Sequence, residues 1–199
     1  FDEKRRVITR PYQQVQLDAH KIDAIFVIPF EGPDGLPRID TLERIWLLLL
    51  IDVKSRAVLG YKLVLKRQCD TSDVLEVIHN AIVPQPRITL TIPDLEYLPG
   101  AGLPNKIIPV CAWQLFDMIT LDNAMPHISE HMHRPVNKKT QCMFRLNRRK
   151  SPNENTFVER FFGTLTSQGF QQTPSTTGSH PKTPNAKMQR ETPSILNLP

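Results

Sequence analysis

The stretch IWLLLLIDVKSRAVLGYKL, residues 45–63, decides the fold class. Its first part, Ile45 to Asp52, is continuously apolar, as expected of a central strand that is covered on both faces of a sheet. Lys54-Ser55-Arg56 has the composition of a turn, and Ala57 to Leu65 returns as a second apolar strand. The stretch therefore predicts two neighbouring antiparallel strands. Its apolar run, Ile45 to Val53, has about half the length that a membrane-spanning helix needs.

Another strand precedes this pair. Residues Val15 to Ile28 are rich in apolar and β-branched side chains and predict a first strand that is bent or continued past His20. Glu31 to Pro37 (EGPDGLP) has the composition of a turn. The three strands are expected to form an antiparallel meander.

A helix and a fourth strand follow the meander. Thr71 to Val83 has helical apolar spacing, with Thr71 or Ser72 as the predicted N-cap. Arg87 to Gln114 is predicted as an irregular connection, and Leu115 to Leu121 as a short buried strand. Because this strand follows a crossover helix, we expect it to lie parallel to the first strand.

The last helix of the pattern is predicted from Ser151 to Ser167. Ser151, Pro152 and Glu154 supply an N-cap, a first-turn proline and a capping box. A further short helix is predicted at Ile128 to His133. Alternating strands and helices indicate the α/β class, with an arm or linker at 1–13, a core at 14–170 and a linker or disordered tail at 171–199, where Pro, Ser, Thr, Gln and Asn dominate.

Composition excludes several classes of protein. Hydrophobic residues make up 40% of the 199 residues, which is typical of a globular rather than a disordered chain. The 3 cysteines are far apart, which predicts free thiols in a reducing compartment rather than a disulfide framework. A formal net charge of +5 is compatible with a nucleic-acid partner without requiring one.

Three carboxylates are candidates for chemistry. Asp18 lies within the first strand, Asp122 ends the fourth strand, and Glu159 lies in the last helix. If the first and fourth strands are adjacent and parallel, Asp18 and Asp122 can face each other, and a helix that crosses the sheet can bring Glu159 to the same point. Such a cluster suits Mg²⁺, which prefers oxygen ligands. The alternative is that each acid only caps a turn or a helix.

Other polar residues have competing readings. Glu154 is acidic and close in sequence to Glu159, but its capping-box position predicts a structural role. Asp52 is expected to stabilise the turn that follows it, and Asp23 lies on the same element as Asp18 without a motif. His20 shares a strand face with Asp18 and is expected to contact DNA, to contact a carboxylate or simply to be packed.

A zinc site is the less favoured reading of a second cluster. His127 and His131 have the spacing of one helix face, and His133 and Cys142 follow. However, a proline soon ends any helix here, and no second cysteine lies nearby.

Positive charge is concentrated before the last helix, since no Asp or Glu lies between His131 and Asn153. A charge run is usually a solvated surface, but this one leads directly to Glu159. We expect it to bind the DNA backbone with salt-sensitive, sequence-independent affinity, through Arg134, Lys138, Lys139, Arg145, Arg148, Arg149 and Lys150.

Four segments, in this order, resemble the integrase core family of bacterial transposases and retroviral integrases. They are QLDAHKID at 16–23, RIWLLLLIDVKSRAVLGYKL at 44–63, LDNA at 121–124 and SPNENTFVERFFGTL at 151–165. Within this family they are most similar to the Mu-like and TnsB-like transposases. The resemblance extends over residues 14–168 and is poor at 87–114.

The resemblance implies an RNase H-like fold, a five-stranded mixed sheet of three antiparallel strands plus parallel strands, flanked by helices. It implies that Asp18, Asp122 and Glu159 form a DDE triad that holds two Mg²⁺ or Mn²⁺ ions, with Asp18 as the shared ligand. The implied reaction is 3′-end cleavage of DNA by water, followed by attack of the freed 3′-OH on target DNA. Two positions depart from the family, because Ala124 replaces a common glycine and Gly163 replaces a DNA-contacting lysine found in some relatives.

Partners and alternatives follow from the same resemblance. It implies transposon-end and target DNA, a homo-oligomer in the active complex, other transposition proteins, no membrane, and a bacterial, cytoplasmic, nucleoid-associated location. Two other functions stay open: an RNase H-like nuclease that only hydrolyses, and a domesticated DNA-binding fragment without turnover.

Overall fold

The computed structural model of the chain describes residues 7–22, 26–42, 45–66, 68–91, 94, 96–121, 140–146, 156–168 and 194–195. Five of the strands form one sheet, in the order β5-β4-β1-β6-β7. Their bounds are Gln14–Ile22 (β1), Ile45–Asp52 (β4), Val58–Val64 (β5), Met118–Leu121 (β6) and Met143–Leu146 (β7). The predicted α/β class and mixed five-stranded sheet are confirmed.

The parallel half of the sheet is built on β1. This strand pairs with β6 in parallel, from Gln14 opposite Met118 to Leu17 opposite Leu121. Strand β6 in turn pairs with β7 in parallel, and this ladder ends with Leu121 opposite Leu146. The prediction that the strand after the crossover helix lies parallel to the first strand is therefore confirmed.

The other half of the sheet is the predicted meander. Strands β4 and β5 are joined by a short turn, in which the Asp52 amide donates to the Ala57 carbonyl at 2.9 Å. So short a connection can only join antiparallel strands. The Val53 amide donates to the Gln14 carbonyl at 3.0 Å, so that the end of β4 meets the start of β1.

The prediction of a single first strand from Val15 to Ile28 was wrong. The chain forms two strands here, β1 and Phe26–Glu31 (β2), and β2 belongs to a second sheet of order β3-β2-β8. Strands of globular proteins rarely exceed about ten residues, and β2 finds a new partner in Pro37–Leu42 (β3). The predicted turn between them is confirmed, with the Gly35 amide donating to the Gly32 carbonyl at 2.9 Å.

The third strand of this small sheet, Ser194–Ile195 (β8), pairs with β2 in parallel. It falls within the segment 171–199 that was expected to be a linker or a disordered tail. The boundaries predicted for the arm, the core and the tail stay predictions.

The first helix, Thr71–Ile82 (α1), matches the predicted span, but its cap does not. The N-cap is Asp70 rather than Thr71 or Ser72. The Asp70 carboxylate accepts from the Ser72 and Asp73 amides at 2.9 and 3.1 Å, and the Asp73 side chain accepts from the Asp70 amide at 3.0 Å. A reciprocal capping box of this kind satisfies two helix-end donors at once, which a threonine one residue later would not.

The remaining elements are short. The connection predicted as irregular contains one helical turn, Pro104–Ile107 (α2), and a 3₁₀ turn at Pro109–Cys111. The last described helix is Thr156–Gln168 (α3). Its predicted cap residues Ser151, Pro152 and Glu154, and the helix predicted at 128–133, lie outside the described residues.

The chain divides into two compact units. The first comprises Phe1–Ala19, Leu48–Lys62 and Asp70–Val158, and the second comprises His20–Leu47, Leu63–Cys69 and Glu159–Pro199. The core of the first unit consists of buried aliphatic side chains from the sheet and from α1: Val15, Leu17, Leu48, Leu50, Val74, Val77, Ile119 and Leu121.

Candidate functional site

The two parallel ladders that join β1, β6 and β7 end in one row, because Leu17, Leu121 and Leu146 are register partners across the three strands. Open α/β sheets bind their ligands at the carboxyl ends of parallel strands. Asp18 is the next residue of β1 after Leu17 and is half-buried. Asp122, which follows Leu121 in the sequence, lies outside the described residues.

Asp18 accepts a local hydrogen bond at the end of the parallel ladder. Its Oδ1 accepts from the Ala19 amide at 2.8 Å. Asp18 is half-buried, unlike the fully buried apolar residues Val15 and Leu17 that precede it.

One row earlier, polar residues lie side by side on the three parallel strands. Gln16 is the register partner of Thr120, and Thr120 is the partner of Arg145. The Thr120 hydroxyl donates to the Val15 carbonyl at 3.1 Å and so is satisfied within the sheet. Because side chains alternate between faces, residues 16 and 18 share one face of β1, and residues that pair directly project to the same face of a sheet.

Arg145 is the one predicted DNA-binding residue that falls within the described part of the chain. It lies in β7 and is half-buried. Arg145 pairs with Thr120, and Thr120 pairs with Gln16, so the three side chains project from one face of the sheet. Asp18 projects from the same face, because it lies two residues after Gln16 in β1. The other six predicted DNA-binding residues lie outside the described ranges: Arg134, Lys138, Lys139, Arg148, Arg149 and Lys150.

Glu159 lies in the first turn of α3 and is exposed, whereas its neighbour Val158 is fully buried. Positions 159, 162 and 166 are spaced by three and four residues, so Glu159, Phe162 and Thr166 share one face of this helix. Asp18 belongs to the first compact unit and Glu159 to the second. Convergence of the predicted triad therefore stays a prediction.

His20 contacts this face of α3. Its ring stacks on the Phe162 ring, with centroids 4.6 Å apart and planes 18° from parallel. Its Nε2 lies 3.4 Å from the Thr166 hydroxyl, within reach of a hydrogen bond whose direction depends on the tautomer. Of the roles expected for His20, packing is confirmed, and α3 is its partner. Phe162 and Thr166 were not singled out in the sequence, although their spacing from Glu159 was the available signal.

The structural reading of Asp52 is confirmed. The side chain is fully buried, and its carboxylate accepts from the Tyr12 amide at 2.8 Å, the Ser55 amide at 2.6 Å and the Ser55 hydroxyl at 2.7 Å. These bonds fix the turn between β4 and β5, whose residue Arg56 has a φ of 67°. With three donors on a buried carboxylate, Asp52 has a structural role.

The competing metal and acid candidates are tested only in part. Within the described ranges, no group of three or more His, Cys, Asp or Glu side chains could hold a metal ion. Asp23, Glu154, His127, His131 and His133 lie outside those ranges, as does Asp122.

The three cysteines form no disulfide with one another, as predicted: Cys69, Cys111 and Cys142, which all lie in the described ranges. Cys142, the last member of the candidate zinc cluster, is buried, and burial raises the pKa of its thiol to about 11. A metal ligand must be a thiolate, and burial that raises this pKa adds to the free-energy cost of forming one. These surroundings disfavour Cys142 as a zinc ligand.

Comparison with known proteins adds a family to this geometry. None of the described helices has the length and apolar character needed to span a membrane. A search of the curated proteins finds no match. The family model of the TnsB C-terminal domain matches residues 16–175, which include most of β1 and all of β6, β7 and α3. This chain belongs to the transposase-related TnsB C-terminal domain family.

Proposed function

We propose that this chain is the catalytic core of a DNA transposase, a metal-dependent polynucleotidyl transferase of the DDE type with an RNase H-like fold. Membership of the TnsB C-terminal domain family supports a transposition-related, DNA-binding function. The single observation that carries the catalytic proposal is the parallel register of β1 and β6, which ends with Leu17 opposite Leu121.

This register gives Asp18 and Asp122 equivalent positions in the sequence, each directly after one of two paired leucines. Asp18 and Asp122 are each the next residue along the chain from a pair of direct partners, Leu17 and Leu121. If the register holds for one more residue, the two carboxylates are neighbours on one face of the sheet. Asp18 and Asp122 are then the first two members of the proposed triad.

Glu159 is proposed as the third member. The helix face that carries it also carries Phe162 and Thr166, which contact His20. His20 follows Asp18 by two residues in the same strand, so both project from one strand face. The face of α3 that bears Glu159 is thus the face that meets His20.

The donor set fits a divalent cation. Three carboxylates offer only oxygen atoms, which are the ligands that Mg²⁺ and Mn²⁺ prefer. We propose that Asp18 is shared by two ions and that Asp122 and Glu159 each complete one site. When bound, a pair of divalent cations activates the attacking oxygen and stabilises the leaving oxygen of an in-line displacement at phosphorus.

The protein's own contribution is to hold the DNA at these carboxylates. Arg145 leaves the sheet on the same face as Asp18 and supplies a positive charge for a phosphate beside the site. The six other cations of the basic run are proposed to bind the DNA backbone further along the strand. One site of this kind serves both end cleavage and strand transfer, because both are displacements at a phosphodiester.

The proposal is tested by Asp18→Asn, which keeps the shape of the side chain and removes its charge. We expect the joining of a pre-cut 3′-OH DNA end to a plasmid in Mn²⁺ to fall by about 10³-fold, which corresponds to roughly 4 kcal/mol of transition-state stabilisation. DNA binding, measured by fluorescence anisotropy, should be retained.

The matched control is Asp117→Asn. Asp117 directly precedes β6 at the opposite, amino end of the strand and forms an exposed ion pair with Arg10 at 2.7 Å. Its substitution should leave the rate of strand transfer within about twofold of the wild-type rate, since exposed ion pairs contribute little to stability. Absence of Mn²⁺-dependent joining by the wild-type chain, or joining by Asp18→Asn at the wild-type rate, would contradict the proposal.

A further inference from the structure

His20 occupies a position that the proposed chemistry does not use directly. It lies in β1, two residues after Asp18, and its ring makes two contacts with α3, one with Phe162 and one with Thr166. Phe162 is 3% exposed and His20 is half-buried, so the stack joins a buried ring of α3 to a partly exposed ring of β1. A nearly parallel pair of rings restricts the relative orientation of β1 and α3 more than aliphatic packing does, because ring pairs have preferred geometries.

The two contacts lie along one face of α3. Phe162 and Thr166 are one turn apart, and Glu159 lies almost one turn before Phe162 on the same face. A rotation of α3 about its axis would break the stack and would turn Glu159 by the same angle. The contacts of His20 therefore constrain the direction in which the Glu159 carboxylate projects.

We propose that His20 is a positioning residue that sets the rotation of α3, and through it the position of Glu159, for divalent-cation binding. The inference rests on the proposed function of Glu159 as a metal ligand. His20 itself touches neither the metal nor the DNA in this scheme. Residues that orient metal ligands without contacting the metal typically change its affinity by 10–100-fold when they are mutated.

A role of His20 in packing alone would have different consequences from a positioning role. If His20 only packs the core, its removal lowers the free energy of unfolding and affects every function of the chain alike. If it positions Glu159, its effect on metal binding disappears once the Glu159 carboxylate has been removed. A double-mutant cycle separates the two roles, because only coupled residues deviate from additivity.

The experiment measures Mn²⁺ affinity by calorimetric titration of the 199-residue chain without DNA, with no activity assay. We expect His20→Ala to weaken Mn²⁺ binding by roughly 10–100-fold, and Glu159→Gln to weaken it as well. The double variant should bind Mn²⁺ no more weakly than Glu159→Gln alone. The matched control is His79→Ala, because His79 is an exposed histidine on α1.

Two milder variants keep the test informative if His20→Ala unfolds. His20→Phe retains a planar ring for the stack on Phe162 and should lose less Mn²⁺ affinity than His20→Ala. Thr166→Val removes only the hydroxyl that lies 3.4 Å from His20 and should show a loss of a few-fold or less. Unfolding by urea identifies variants that are destabilised.

The outcomes distinguish the two proposals. Wild-type Mn²⁺ affinity in a folded His20→Ala variant would overturn the positioning role, as would a loss from His20→Ala or His20→Phe that is equal with and without the Glu159 carboxylate. If Glu159→Gln leaves Mn²⁺ binding unchanged, the proposed function of Glu159 fails, and the role of His20 fails with it.

Discussion

Asp18 and Asp52 show how the surroundings of one residue type decide its role. Both lie in strands of the same sheet, and both belong to motifs of the first half of the chain. Asp52 is fully buried and accepts three hydrogen bonds from Tyr12 and Ser55, which engage both of its oxygens. Asp18 is half-buried and directly follows Leu17, the last β1 residue that pairs with β6. The first arrangement stabilises a turn, and the second suits chemistry.

The buried thiol of Cys142 leads to a prediction about pH. Burial raises its pKa from 9.0 to about 11 in the folded chain, whereas in the unfolded chain it ionises at its ordinary pKa. Stability that depends on the protonated thiol is therefore fully present below pH 9 and is lost as pH rises from about 9 to 11. Between pH 8 and pH 10 we expect a loss of roughly 1 kcal/mol from this group.

The measurement compares urea unfolding of the wild-type chain and of Cys142→Ala at both pH values. The variant is expected to be less stable at pH 8, because it lacks a buried side chain, but to lose less stability on going to pH 10. Parallel losses in the two proteins would show that the Cys142 thiol does not ionise differently in the folded and unfolded states.

At the scale of elements, Gly60 lies where helix α1 closely approaches strand β5. A Cβ added at Gly60 in β5 would lie 2.7 Å from the Val77 carbonyl oxygen and 3.1 Å from the Ala81 Cβ, both on α1. The glycine therefore permits the close packing of α1 on β5. In contrast, a Cβ at Gly163 of α3 would meet nothing within 4 Å.

These two glycines are predicted to respond to alanine with opposite signs. Gly60→Ala should destabilise the chain by about 1–3 kcal/mol, because backbone atoms must move to relieve the overlap. Gly163→Ala should stabilise it by roughly 0.5–1 kcal/mol, because alanine lowers the entropy cost of ordering an exposed helix position. Urea unfolding of both variants checks the signs, and a destabilising Gly163→Ala would contradict the assigned environment of α3.

Most individual elements could be predicted from local sequence, and the errors have physical causes. The apolar run at 45–52 and the helical spacing at 71–82 each specify an element by themselves. The first strand was predicted too long because apolar and β-branched residues recur from Val15 to Ile28, and only the pairing of β2 with β3 shows that a second strand begins there. The cap of α1 was misplaced because Asp70 and Asp73 act as a reciprocal pair.

At the scale of the whole molecule, the parallel relation of β1 and β6 could be predicted because a crossover helix dictates it. The contact of His20 with α3 could not be predicted, since it joins residues 20 and 166, which are remote along the chain. Of the predicted site, the place of Asp18 at the end of the parallel pair and the structural role of Asp52 follow from sequence. The convergence of Asp18, Asp122 and Glu159 depends on tertiary packing, which no local pattern specifies.

That convergence is tested most directly by a crystal structure of the chain soaked with Mn²⁺, with the ions located by anomalous scattering. We predict an Mn²⁺ ion bound by carboxylate oxygens of both Asp18 and Asp122, each at about 2.2 Å, with Glu159 on a second ion that also contacts Asp18. Carboxylates of Asp18 and Asp122 on opposite faces of the sheet, with no shared ion, would contradict the account.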